Sequence, residues 1–179
     1  MGMLIMLGGR KASYVNEDAV ANVIRYVTRT RKNEDRRNEL FGYGGAGVGY
    51  YLEPEMMIQQ FLYVQCNHNI HYRRGRRMYH EVLTIREDEF DKLNRDMSIA
   101  NRIALECCMI YYLQGHQVVY AVHWDQDKFV HIHFAVNTIS FIDGRKWHTS
   151  MREGTSREKK FNEIMRGYFP PASLEELTA

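Results

Sequence analysis

Apolar and polar positions alternate along this chain in two rhythms, and each rhythm predicts a kind of element. "MLIML" (3–7) is a continuous apolar run short enough for a strand. Val20, Val23, Ile24 and Val27 recur every three or four positions and predict a helix, capped by Asn16 and running to about Thr30. Residues 31–52 are first charged and then glycine-rich, with no helical period, and read as a long loop. Pro54 suits the first turn of a second helix, whose buried face is Met57, Ile58, Phe61 and Leu62. A basic connection (67–77) leads into an alternating strand (77–85). Phe90, Leu93, Met97, Ala100, Ala104, Cys107 and Tyr111 predict one long helix over 87–113, ended by Gly115. "HQVVYAVHW" and "FVHIHFAVNTISF" then predict two strands joined by "DQDK" in a hairpin. Asp143-Gly144 marks a turn, and Thr155 with Glu158 predicts the capping box of a last helix that stops near Gly167 and Pro170.

This order implies an α+β fold: a two-layer or three-layer sandwich with a central, mainly antiparallel sheet flanked by helices. One domain is expected over 1–170, with a loose tail at 171–179 that leaves room for a further region beyond it. The 179 residues are 45% hydrophobic and 26% charged, an ordinary globular composition. No apolar run approaches the roughly 18 residues of a membrane span, so membrane insertion is not expected. Cys66, Cys107 and Cys108 are too few and too poorly spaced for a disulfide framework, which suits a reducing cytoplasm.

The net charge of +2 says little, but the charges are grouped. Arginines and lysines cluster at 25–37, 73–77 and 145–160, with tyrosines among them. Such patches are compatible with nucleic acid and equally with solvated surface.

Three of the eight histidines fall in "VHWDQDKFVHIHFAVN" (122–137). In a strand, His131, His133, Ala135 and Asn137 share one face. A hairpin centred near Asp127 sets His123 beside His131, so three imidazoles converge on a rigid sheet. Convergent neutral imidazoles form a metal site, and three protein ligands with open positions mark a catalytic one. Asp125 or Asp127 could orient a ligand ring.

The spacing of His123, Asp125, His131, His133 and Asn137 resembles the third motif of conjugative relaxases, the mobilisation nucleases of the HUH endonuclease superfamily. "VIRYVTR" (23–29) resembles their first motif, "YHEVLTIREDE" the strand before their long helix, and "DGRKWHTS" the basic segment after the third motif. The likeness covers roughly residues 3–167 and is greatest to a Gram-positive mobilisation branch. It implies that His123, His131 and His133 ligate a divalent cation, that Tyr26 is the nucleophile, and that Asp125 is a supporting acid. Tyr14 is the alternative nucleophile, ahead of Tyr43, Tyr50 and Tyr51. It also implies nicking of one strand at a transfer origin, a 5′-phosphotyrosine intermediate and later rejoining, in a bacterial cytoplasm.

Candidate DNA contacts are Arg10, Lys11, Arg29, Trp124, Asn137, Arg145, Lys146, Trp147 and His148, with loop 31–52 closing over the strand. Imidazole ligands favour Mn²⁺, Zn²⁺, Co²⁺ or Ni²⁺, while abundance favours Mn²⁺ or Mg²⁺ in function. The expected partners are single-stranded or hairpin DNA of a transfer origin, with accessory DNA-binding and coupling proteins. Rival readings are a rolling-circle replication initiator, a three-histidine zinc hydrolase of a small substrate, and a non-catalytic nucleic-acid-binding module.

Overall fold

Residues 3–7, 14–32, 35–49, 53–68, 75–125, 129–148 and 150–169 are described by the structure, a computed structural model. The expected tail at 171–179 lies outside them. In chain order the elements are β1 (Met3–Leu7), α1 (Ala19–Val27), β2 (Leu40–Ala46), α2 (Pro54–His68), β3 (Met78–Ile85), α3 (Glu87–Lys92), α4 (Met97–Tyr112), β4 (His116–Asp125), β5 (Phe129–Ser140) and α5 (Met151–Arg166). Among the described residues five strands form one sheet in the order β1-β3-β5-β4-β2. Every neighbouring pair is antiparallel. The fold is α+β, as the element order implied.

Strand alternation splits the interior into two cores. Val118, Tyr120, Val122, Val130, Ile132, Phe134 and Val136 point to one face, against Ala100, Ile103, Ala104, Cys107 and Tyr111 of α4 and Phe161 and Met165 of α5. Val119, Ala121, Ala135 and Met78 point to the other, against Val20, Val23, Ile24 and Val27 of α1 and Met57, Ile58 and Phe61 of α2. The result is three layers, with β5 at the centre of the sheet between β3 and β4. Full burial of each large apolar side chain contributes about 1.5–3 kcal/mol, so both helical layers are held mainly by these stripes.

A polar group is locked into the α4/α5 side. Glu81 of β3 accepts from Arg157 of α5 at 2.5 and 3.1 Å and from the Tyr111 hydroxyl at 2.6 Å. The Arg157 guanidinium also lies 4.7 Å from the Trp147 ring centre.

Four expectations are corrected. The span 31–52 contains strand β2 and is not a continuous loop. Its glycines hide the strand, since they lower strand propensity, yet at Gly44 they are what allows it. A Cβ on Gly44 would stand 2.8 Å from the Tyr120 hydroxyl and 2.9 Å from its ring. The single helix expected over 87–113 is two, because Asn94 and Arg95 turn left-handed (φ 55° and 52°) and Asp96 caps α4 by accepting from Ser98 N at 2.7 Å. The first helix ends at Val27, not Thr30, and the residue preceding it is Asp18 rather than Asn16. The capping box of the last helix is Ser150 with Glu153, which matches the same S-x-x-E pattern five positions before Thr155.

Candidate active site

The β4–β5 ladder sets His123 opposite His131. On the other side of β5, Val82 pairs with His133 and Thr84 with His131. All three histidines therefore lie on the α1/α2 face of the sheet. Ring centres are 4.4 Å apart for His123 and His133, and 6.5 Å apart for His131 and His133. With Ile5, Tyr26, Arg29, Arg36, Glu39, Val82 and Thr84 they line a cleft of about 290 Å³.

Each ring is engaged by a protein partner. His123 Nε2 is 2.6 Å from the Val27 carbonyl oxygen. A carbonyl only accepts, so Nε2 carries the proton and Nδ1 carries a lone pair. That Nδ1 is buried and has no hydrogen-bond partner among the described residues. His131 Nδ1 lies 3.2 Å from the Thr84 hydroxyl, and His133 Nδ1 lies 2.9 Å from His80 Nε2. Burial pushes His123 down to about 4, and burial followed by His123 pushes His80 down to about 4. His133 is also driven down, first by burial and then by its histidine neighbours. These rings are neutral at pH 7, the state in which imidazole donates to a metal.

A divalent cation fits this set in donor chemistry: neutral imidazoles converge, and one buried nitrogen lone pair has no partner. As the rings stand, bonded to Val27, Thr84 and His80, no group of three His, Cys, Asp or Glu among the described residues forms a ready-made ligand cage.

Tyr26, on the last turn of α1, enters the same cleft half-buried. Its ring meets His133 edge-on with centres 5.8 Å apart, and meets His80 at the same separation. Two guanidiniums flank it, Arg29 at 5.1 Å and Arg31 at 4.8 Å. Arg29 follows directly because the chain reverses after α1, with Arg29 itself left-handed (φ 53°). It is 6% exposed and ion-paired with Glu39 at 2.8 Å. Tyr14 stands apart from the cleft, its hydroxyl 3.3 Å from His80 Nδ1. Burial, then the neighbouring Tyr26, pushes its phenol up.

Several expected contacts are placed elsewhere. Asn137 shares the histidine face but is 0% exposed, sealed beneath α2. Its amide bonds the Phe61 carbonyl, Gln117 and Gln65, so it offers nothing to DNA. Trp124 follows His123 in sequence, yet alternation sends it to the opposite face, 41% exposed and 6.4 Å from the Phe90 ring. Trp147 is half-buried against Tyr79, Tyr111, His116 and Arg157, not presented for stacking on bases. Arg145, Lys146 and His148 lie beyond the far end of β5, around a separate hollow. Asp125 closes β4 opposite Phe129, and its side chain lies outside the described residues, as do Arg10, Lys11, Asp127, Tyr50 and Tyr51.

Sequence reasoning passed over His80, Arg36 and Glu39. The signal for His80 is its place on the Met78–Val82–Thr84 face of an alternating strand.

A tyrosine and a histidine cluster thus share one cleft, beside two guanidiniums. The family described as "Relaxase: MobA/VirD2-like, nuclease domain" matches residues 19–168, from α1 to just past α5. The chain belongs to that family of DNA-nicking relaxases, whose members use divalent metal ions and act on single-stranded DNA. No curated protein matches the chain in sequence. No helix among the described residues is long and apolar enough to cross a membrane.

Proposed function

We propose that this relaxase domain cuts one DNA strand by metal-assisted transesterification, with Tyr26 as nucleophile and His123, His131 and His133 holding the cation. The observation that carries the reading is the Tyr26 ring standing 5.8 Å from His133 within the cleft that all three histidines line. The Tyr26 oxygen–phosphorus bond forms as the phosphorus–O3′ bond breaks. The phenol proton leaves to water, and the departing oxygen takes one up as a free 3′-OH. One phosphodiester replaces another, so the 5′-phosphotyrosine keeps enough energy to rejoin the strand.

A bound divalent cation, Mn²⁺ or Mg²⁺ in the cell, supplies charge stabilisation at the non-bridging oxygens. The chain itself orients the reaction. Val27, Thr84 and His80 fix the imidazoles, while the last turn of α1 presents Tyr26 and the left-handed Arg29 just after it turns into the same space. Arg29 and Arg36 meet backbone charge beside the cut, while Arg10, Lys11, Arg145, Lys146 and His148 serve flanking DNA. The setting is nicking at a transfer origin during conjugation or mobilisation in a bacterial cytoplasm, with accessory and coupling proteins.

The test is a labelled single-stranded transfer-origin oligonucleotide with Mn²⁺, resolved on a denaturing gel. A slow covalent adduct is expected, lost in EDTA and in Tyr26→Phe. His131→Ala and His133→Ala each lose both cation and cut. An adduct that survives Tyr26→Phe and vanishes in Tyr14→Phe reassigns the nucleophile.

A further inference from the structure

His80 is 2% exposed and lies on the site face of β3, where it pairs with Ala135. The small partner leaves its ring room to lean diagonally toward His133, whose own partner is Val82. Three groups then follow in line: Tyr14 Oη, 3.3 Å to His80 Nδ1, and His80 Nε2, 2.9 Å to His133 Nδ1. The Tyr14 backbone sits at φ 43°, a conformation that a bulky side chain rarely adopts. It is held there by the Arg77 N–H donating to its carbonyl at 2.9 Å. Structure that tolerates strain to keep one phenol in place points to a use for it.

Proton counting gives the chain a direction. A neutral imidazole has one donor nitrogen and one acceptor. For His133 to ligate through Nε2, its proton must sit on Nδ1 and be donated to His80 Nε2. The His80 proton then sits on Nδ1 and is donated to the Tyr14 oxygen, which can accept it. All links agree. The opposite direction would leave a proton on His133 Nε2 and disable that nitrogen as a ligand.

We infer that Tyr14 and His80 form a hydrogen-bonded relay that holds His133 in the tautomer with its lone pair on Nε2. Both are positioning residues, and Tyr14 is the terminal acceptor of the relay, not a spare nucleophile. The inference rests on the reading of His133 as a ligand.

The test uses His80→Phe, which keeps a ring without nitrogens, His80→Gln, which can place an oxygen near the lost Nε2, and Tyr14→Phe. Folding is checked by thermal melting. Two readouts follow: Mn²⁺ affinity by calorimetry, and the His133 tautomer from imidazole ¹⁵N shifts in the metal-free protein. Wild type is expected to show an unprotonated Nε2 on His133. His80→Phe should mix the tautomers and weaken Mn²⁺ binding by about 10- to 100-fold, with most of that recovered in His80→Gln. Tyr14→Phe should weaken it less, within about tenfold, and still form the DNA adduct.

A wild-type protein with the proton on Nε2, or a folded His80→Phe with unchanged affinity and tautomer, overturns the relay. Tyr14→Phe that loses the adduct with both readouts unchanged overturns the role given to Tyr14. If His80→Phe does not fold, the wild-type spectrum and the other two variants still decide. Undiminished Mn²⁺ binding by His133→Ala would instead defeat the cation reading, and the tautomer spectrum would still judge the relay.

Discussion

Changing Asn137 to aspartate keeps the shape of the side chain and exchanges its NH₂ for oxygen. In the protein that NH₂ donates to the Phe61 carbonyl at 3.1 Å and to Gln117 Oε1 at 2.9 Å. The amide oxygen accepts from Gln65 Nε2 at 2.9 Å and Ile139 N at 3.1 Å. The site is closed to water, so the exchange cannot be repaired by solvent. A protonated aspartic acid supplies one donor where two are needed, and one acceptor left unmet costs about 1–3 kcal/mol. Ionised, it would face two acceptor oxygens, so the folded state holds it neutral and its pKa rises above the unfolded value of about 3.9.

The unfolded variant therefore releases a proton that the folded variant keeps. Its stability deficit against wild type is smallest near pH 4 and grows by about 1.4 kcal/mol per pH unit above it. By pH 7 that adds roughly 4 kcal/mol. Urea midpoints of both proteins, followed by circular dichroism from pH 4.5 to 7.5, measure the difference. A deficit that does not change with pH would refute this reasoning. So would a variant of wild-type stability that has lost single-stranded DNA binding, since that is the behaviour of a DNA contact.

In EDTA, the wild-type protein should weaken as pH falls from about 6.5 toward 4. His80 and His123 have folded values of about 4 against an ordinary 6.5, so the unfolded chain binds more protons in that window, and a flat denaturant midpoint across it would contradict buried neutral rings. Arg157→Met should cost about 3–5 kcal/mol by stranding the Glu81 carboxylate, and Glu81→Met in the same chain should restore much of it, as read by thermal melting. Gly44→Ala should cost about 1–3 kcal/mol from overpacking against Tyr120, and much less when combined with Tyr120→Leu.

The histidine trio was legible because its geometry is local. Alternation names the shared face of His131 and His133, and a short hairpin brings His123 to them. The same alternation already sends Trp124 to the opposite face, so its adjacency to His123 in sequence does not bring it to the cleft. Asn137 shows what a pattern of period two omits: it assigns a face but not what covers that face, and α2 arrives from far away in sequence. His80 was missed because its partner is set by the β3–β5 pairing, which no neighbouring residue encodes. Strand β2 was missed because its stability comes from β4 and the Tyr120 ring, not from its own glycine-rich residues. The break between α3 and α4 rests on two left-handed residues, Asn94 and Arg95, inside a stripe that otherwise continues.

Consecutive residues of β3 serve different masters: His80 backs His133 on the histidine face, and Glu81 anchors the opposite layer through Arg157. The sheet thus works as a partition wall, with the histidine cleft on one side and the Glu81–Arg157 pair on the other. Repairs or weak points behind the wall can retune how firmly the domain stands while the chemistry in front keeps its own furniture, provided the wall itself stays upright.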